Sequence, residues 1–415
     1  MSFTMIENFG GIIKLNRQQE GLTLKYIKHE TGISQGHLSR IENNKEKISY
    51  ENVKIIFDVM EIPITEEDLN EQFEKDFMSF YLDIIYLRDY IVSFKKIKSY
   101  HQYIRSSFSY IKYILAHMIY DTLIGEKNIS KKYVFIKEYF DYLEDYQCQL
   151  YYDYMGGYYY MNEYYLEALN NYKIALKYGG NLYSESMLYF HIGATQIYEG
   201  ANFDALKYTE KARTLFAQTV NLKRIVSANF NIARILYRNG DFKEFERISI
   251  NCIQAYKELN MKMNIVYTYN NLIWGYVRSE KYEKVFEYCD EALELEFNKH
   301  CIYFYMSVAA YKLNQIDKAR EYIKLARETM DEPTKYMETM IKAYQIYLSN
   351  ANDERKEKHL LKVYEASKKT NDQDLEKFTL ELLCDFYDKS NNFEKRLKYI
   401  SIYVDILNKQ KKSYV

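Results

Sequence analysis

Apolar residues recur at steps of three and four along nearly the whole chain, and the alternation that marks a half-buried strand is missing. Phe77, Phe80, Ile84, Leu87, Ile91 and Phe94 fall on one stripe, as in an amphipathic helix. Two further helices are predicted over Tyr100–Leu123 and Ser130–Leu150. Upstream, Phe9–Glu20 offers Ile12, Ile13 and Leu15 to a small core. Ser49 is the expected cap of a helix through Met60, with Val53, Ile56 and Phe57 facing inward. Pro63, one of two prolines, punctuates its end, and the acidic stretch that follows reads as a boundary. The expectation is an all-α chain with an N-terminal domain over 1–64, a linker over 65–72 and a helical domain over 73–415.

Between Thr23 and Lys47 the pattern is more specific. Thr23 can cap a short helix carrying Leu24 and Ile27, and Gly32 supplies the left-handed turn that stops it. Ile33 plugs the turn. Ser34 caps a second helix whose Leu38 and Ile41 face inward while Gln35, His37, Ser39 and Arg40 face out. Two helices joined by a glycine-containing turn form a helix-turn-helix, whose second helix enters the DNA major groove.

The string GISQGHLSRIENNK resembles the recognition half of the lambda-repressor-like (XRE-type) helix-turn-helix, with the resemblance extending over roughly residues 9–64. It implies a structural ion pair between Arg17 and Glu42. It departs from that family at Leu24, where relatives carry a phosphate-binding glutamine, and at Gly36, a bare backbone at a base-contact position. On the recognition helix, Gln35 suits the N6/N7 edge of adenine and Arg40 a guanine or phosphate. His37 and Ser39 fit phosphate or a neighbouring base, and Lys45 and Lys47 fit phosphate at the motif's exit.

A repeat runs through the larger part. Met155-Gly156-x-x-Tyr159 followed by Ala168-x-x-x-Tyr172-x-x-Ala175 has the small/large/small spacing of a tetratricopeptide unit. Related patterns return around Ile192-Gly193 with Ala205 and Ala212, around Asn231-Ile232-Ala233, around Asn271-Leu272-Ile273 with Ala292, and at Ala319 and Ala326. Two looser pairs close the chain, and the period of about 34 to 40 residues is that of helical-pair solenoids. The expected architecture is therefore a lambda-repressor-like head followed by a tetratricopeptide-like α-solenoid over roughly 146–407.

A helix-turn-helix followed by such an array resembles the peptide-pheromone-responsive regulators of the Rgg/PlcR/NprR type. The resemblance implies a quorum-sensing transcription regulator that binds double-stranded operator DNA as a homodimer and takes a short linear signalling peptide in the groove of its repeats. An extended peptide offers unpaired backbone amides, which asparagine can satisfy with a donor and an acceptor. Arginine can fork onto a carboxylate. Asn229, Arg234, Tyr237 and Arg238 in one unit and Asn270, Trp274 and Arg278 in the next are the candidates. Asn231 and Asn271 sit where the repeat itself carries asparagine and read as structural. Two other functions compete: sequestration of a response regulator through Phe73–Leu150, and a plain repressor whose repeats only dimerise.

Composition narrows the classes further. The formal charge is −1, and residues 1–64 carry eight Lys/Arg against eight Asp/Glu, so non-specific DNA affinity is expected to be weak without dimerisation. No apolar run reaches membrane-spanning length, and the N-terminus lacks a secretory pattern. Five scattered cysteines read as buried apolar residues of a cytoplasmic protein, and the 47 tyrosines chiefly as repeat packing. No phosphate-binding loop, HExxH or clustered histidine is present, so no enzyme, cofactor or metal site is expected.

Overall fold

The computed structural model describes residues 5–295, 297–330, 334–369 and 373–412. It is helical nearly throughout and divides into two compact units, residues 1–191 and 192–415.

The first unit begins with a four-helix head: α1 (Gly10–Gln19), α2 (Leu24–Thr31), α3 (Gln35–Glu42) and α4 (Tyr50–Val59). Ile12, Ile13, Leu15, Ile27, Leu38, Ile41, Val53, Ile56 and Phe57 form its buried core. A two-residue antiparallel ladder, β1 (Met5–Ile6) on β2 (Ile48–Ser49), ties the N-terminus to the start of α4 and was not foreseen. At Gly10 a Cβ would lie 1.7 Å from the Ile41 carbonyl oxygen, so only glycine lets α1 start this close to the end of α3.

Seven helices, a 3₁₀ segment and the start of an eighth helix complete this unit among the described residues. They are α5 (Glu67–Ile85), α6 (Tyr90–Ser99), α7 (His101–Ile104), α8 (Ser109–Leu123), α9 (Ile129–Tyr133), the 3₁₀ stretch Val134–Tyr142, α10 (Asp145–Met161), α11 (Tyr165–Ala175) and the start of α12 (Leu182–Tyr198). The expected linker is corrected here, since residues 67–72 form the opening turns of α5. The long stripe also breaks: Leu87 takes φ +51°, and Ile91 is exposed at the start of α6. The anticipated Tyr100–Leu123 and Ser130–Leu150 helices are each divided.

The head is docked, not tethered. Buried Asn16 donates to the Arg105 carbonyl at 2.9 Å and accepts from Arg105 Nε at 2.9 Å, while Arg105 pairs with Glu20 at 2.6 Å. Tyr110 donates to Gln19 at 2.8 Å, and Asn44, two residues past α3, donates to the Tyr142 hydroxyl at 3.1 Å. Phe9 meets Phe108 edge-on, and Phe108 stacks on Tyr142. Head and following helices share one set of polar and aromatic contacts.

The second unit continues with α13 (Asn202–Gln218), α14 (Leu222–Arg238), α15 (Phe242–Glu258), α16 (Lys262–Arg278), α17 (Tyr282–Glu294) and α18 (Lys299–Lys312). It closes with α19 (Ile316–Glu328), α20 (Lys335–Leu348), α21 (Asp353–Ser367), α22 (Gln373–Lys389) and α23 (Phe393–Lys412). The first helices of successive pairs start at residues 182, 222, 262, 299, 335 and 373, within the repeat length read from the sequence. The small positions hold this spacing: Ala205, Ala212, Ala292, Ala319 and Ala326 are buried in the second unit, and Ala168 and Ala175 in the first. In the α10/α11 pair, a Cβ on Gly156 would stand 2.3 Å from the Tyr172 ring, which shows how closely the paired helices pack.

Candidate functional site

The helix-turn-helix is built as its sequence implies. Thr23 accepts from the Tyr26 amide at 3.1 Å, Gly32 turns with φ +74°, and Ser34 accepts from the His37 amide at 3.2 Å. Arg17 Nε and Nη2 fork onto Glu42 at 2.6 and 2.8 Å, and Nη1 holds the Leu22 carbonyl at 2.7 Å. This pair lies beneath the recognition helix α3, with the Glu42 side chain only 4% exposed.

On the outer side, Gln35, Gly36 and Arg40 are exposed and His37 and Ser39 half-buried. Their charges are partly answered within the head. Arg40 Nε pairs with Glu46 at 2.8 Å, His37 Nε2 stands 3.5 Å from the same carboxylate, and Lys47 pairs with Glu7. Lys45 forms no ion pair among the described residues. Bonding to Arg40 holds the exposed Glu46 carboxyl below its usual range. A polyanion approaching α3 must therefore exchange places with Glu46 and Glu7, two acidic residues the helix-turn-helix pattern gave no reason to notice.

The second candidate site gathers on the first helices of the later pairs. Asn270, Trp274 and Arg278 lie one turn apart on α16, and Asn270 Oδ1 is buried without a hydrogen-bond partner among the described residues. On α14, Asn229 accepts from Arg213 at 3.2 Å, Arg234 lies over the Tyr198 ring at 5.0 Å, and Arg238 is half-buried.

Tyr237, Trp274 and Arg278 are brought together by a partner the sequence reading missed. Tyr237 donates to Asp374 Oδ2 at 2.6 Å and the Trp274 indole donates to the same oxygen at 2.7 Å. Arg278 forks onto Glu381 at 2.6 and 2.8 Å and stands 3.5 Å from Asp374. Phe378, between those acids on α22, meets Trp274 edge-on at 5.1 Å. Burial alone would raise the Asp374 carboxyl, but Arg278 and Lys377, with the Tyr237 and Trp274 bonds, outweigh it and hold the carboxyl below its usual range. These three side chains are thus engaged by α22 and are not open ligand groups as expected. No signal of helical spacing could have paired Trp274 with an acid a hundred positions downstream.

Among the described residues no helix is long and apolar enough to cross a membrane, and no cluster of side chains has the make-up of a metal site. Residues 13–66 match the family described as helix-turn-helix. No curated protein matches the sequence. Among solved structures, the apo form of RapI is similar with 18% identity and a TM-score of 0.61, over 82% of this chain and 99% of that one. The apo quorum sensor NprR from B. thuringiensis is similar with 15% identity and a TM-score of 0.60, over 82% and 99%. A Rap protein complexed with Competence and Sporulation Factor gives 16% identity and a TM-score of 0.67, over 83% and 99%. The chain joins a helix-turn-helix domain at its N-terminus to the helical-repeat fold of RapI and NprR.

Proposed function

We propose that this chain is a cytoplasmic, homodimeric regulator that binds operator DNA through α3 and is gated by a short signalling peptide at the α14/α16 face. The observation that carries the reading is an α3 capped, braced by Arg17–Glu42 and presenting Gln35 and Arg40 outward, ahead of repeats folded like those of a quorum sensor. Another structure of similar fold is NprR in complex with its cognate peptide NprX. Asn270 Oδ1, without a hydrogen-bond partner among the described residues, suits a peptide N–H.

Dimerisation is supported by α23. Phe393, Leu397, Ile400, Val404 and Leu407 follow each other at steps of four and three along it, with Phe393 63% and Leu397 69% exposed. A seam of this kind suits a second copy, which would give the dimer two recognition helices to place on DNA about 34–36 Å apart, one helical turn. Because the head is bolted to α7, α8 and Tyr142, ligand-driven motion would carry it as part of a larger body.

The test is selection of duplexes from a random library by the full chain, beside Gln35→Ala/Arg40→Ala. Enrichment of one motif by the parent and its loss in the folded variant is the expected result; an identical motif from both would remove α3 from DNA recognition. A second reading, binding of a partner protein through the Phe73–Leu150 stretch, is favoured by the exposed Ile91, Val92 and Tyr103. Capture of a response regulator by the Gln35→Ala/Arg40→Ala variant as strongly as by the parent would support it.

A further inference from the structure

The stripe Asp374, Phe378, Glu381 and Asp385 runs along one side of α22. Within its own pair it is held by Lys377 and Lys389 of α22 and by Tyr403 of α23, which donates to Glu381 at 2.9 Å. Further polar contacts come from the first helices of four other pairs: Tyr237 on α14, Trp274 and Arg278 on α16, Tyr311 on α18 and Tyr347 on α20. Simple stacking would be served by apolar contacts. Here an arginine 11% exposed is forked onto a carboxylate beside an indole and a phenol, the arrangement suited to a peptide's terminal carboxylate.

We propose that the acidic edge of α22 is a displaceable lock seated in a carboxylate-binding subsite made by Tyr237, Trp274 and Arg278, and that a ligand carboxylate enters by taking its place. This rests on the peptide-binding reading above. The physical reason is an asymmetry of exchange. Withdrawing Asp374 and Glu381 with nothing in return strands a buried guanidinium, which is strongly unfavourable. A ligand carboxylate in their place has two oxygens and enough lone pairs to accept both the Arg278 fork, now on Glu381, and the indole and phenol hydrogen bonds, now on Asp374. The lock then yields to ligands ending in a free carboxylate and resists the same ligands when that group is amidated. Asn270, one turn before Trp274 on α16, would take a backbone N–H of the same ligand.

Trp274 is the sole tryptophan, so the emission of the full chain reports this contact. The experiment measures acrylamide quenching of that emission in the parent and in Asp374→Asn/Glu381→Gln, then titrates each with hexaglycine as free acid and as C-terminal amide. The expected result is a quenching constant several-fold higher in the variant. Its emission should also respond several-fold more strongly to the acid than to the amide, with the parent responding only at much higher concentration. Equal quenching in parent and variant, or equal response to acid and amide, overturns the proposal. If circular dichroism shows the double variant unfolded, Glu381→Gln alone, which leaves Asp374 beside Arg278, should give an intermediate rise in quenching, and no rise overturns it. A lock that passes these tests in a chain whose DNA binding ignores every peptide supplied would count against the peptide-gated reading and leave the carboxylate subsite standing.

Discussion

Replacing Glu42 by alanine removes the brace beneath the recognition helix. In the parent its carboxylate receives two bonds from Arg17, at 2.6 and 2.8 Å, and the two side chains are 4% and 13% exposed. Deleting one partner of a buried pair costs about 3–5 kcal/mol, chiefly because the remaining charge is left uncompensated. Arg17 keeps the Leu22 carbonyl and has a narrow edge to solvent, which puts the cost near the lower bound, about 3 kcal/mol. At about 1.4 kcal/mol per tenfold, opening of the head should become roughly a hundred times more frequent. Native-state hydrogen exchange resolved by segment reads this directly, through lost protection in α1 and α3 and unchanged protection in α14–α18. Arg17→Met/Glu42→Leu should recover most of the loss, since an apolar pair strands no charge. A loss under about 1 kcal/mol in Glu42→Ala, or a double variant as unstable as the single, would refute the assignment of this pair as a buried brace.

Three other outcomes are expected. Arg105→Ala leaves Asn16 Oδ1 and Glu20 without their partner and should weaken head docking by about 1–3 kcal/mol, seen as faster protease cleavage around residues 62–66. Burial raises the Asp76 carboxyl, but Lys96, Tyr100 and Gln72 together bring it below its usual value. Its contribution is therefore present above the unfolded carboxylate value and lost as pH falls through the lower folded one, so urea stability of the parent should drop toward that of Asp76→Asn only in acid. Leu397→Glu places a charge in the α23 seam and should shift the sedimenting species from dimer to monomer, with helicity unchanged.

What was legible in the sequence was whatever is fixed by near neighbours. Thr23, Ser34 and Ser49 each accept the amide three residues on, a pattern that needs no tertiary partner to recognise. The buried alanines repeat because helix pairs approach closely at each turn of the array, and that recurs in the letters. The Arg17–Glu42 pair came from resemblance and is present. Illegible were features set by distant or unpatterned contacts. The break at Leu87 has no glycine or proline to announce it, and the β1–β2 ladder is too short to show alternation. The head's attachment depends on Asn16 meeting Arg105 and Asn44 meeting Tyr142, pairs separated by ninety residues or so, and the acids of α22 reach the candidate groove across a comparable distance.

Under the proposed function, ligand at the repeats changes DNA binding at the head. Coupling of this kind is typically about 1–3 kcal/mol, or about 5–150-fold in affinity, and is reciprocal between the two sites. The direct measurement is the affinity of the full chain for its selected duplex, at fixed salt, with and without the peptide fraction of spent culture medium. A change of at least about fivefold that disappears when the fraction is treated with protease is the predicted result. Identical affinities with and without the fraction, for a chain shown to bind a peptide from it, would contradict the account.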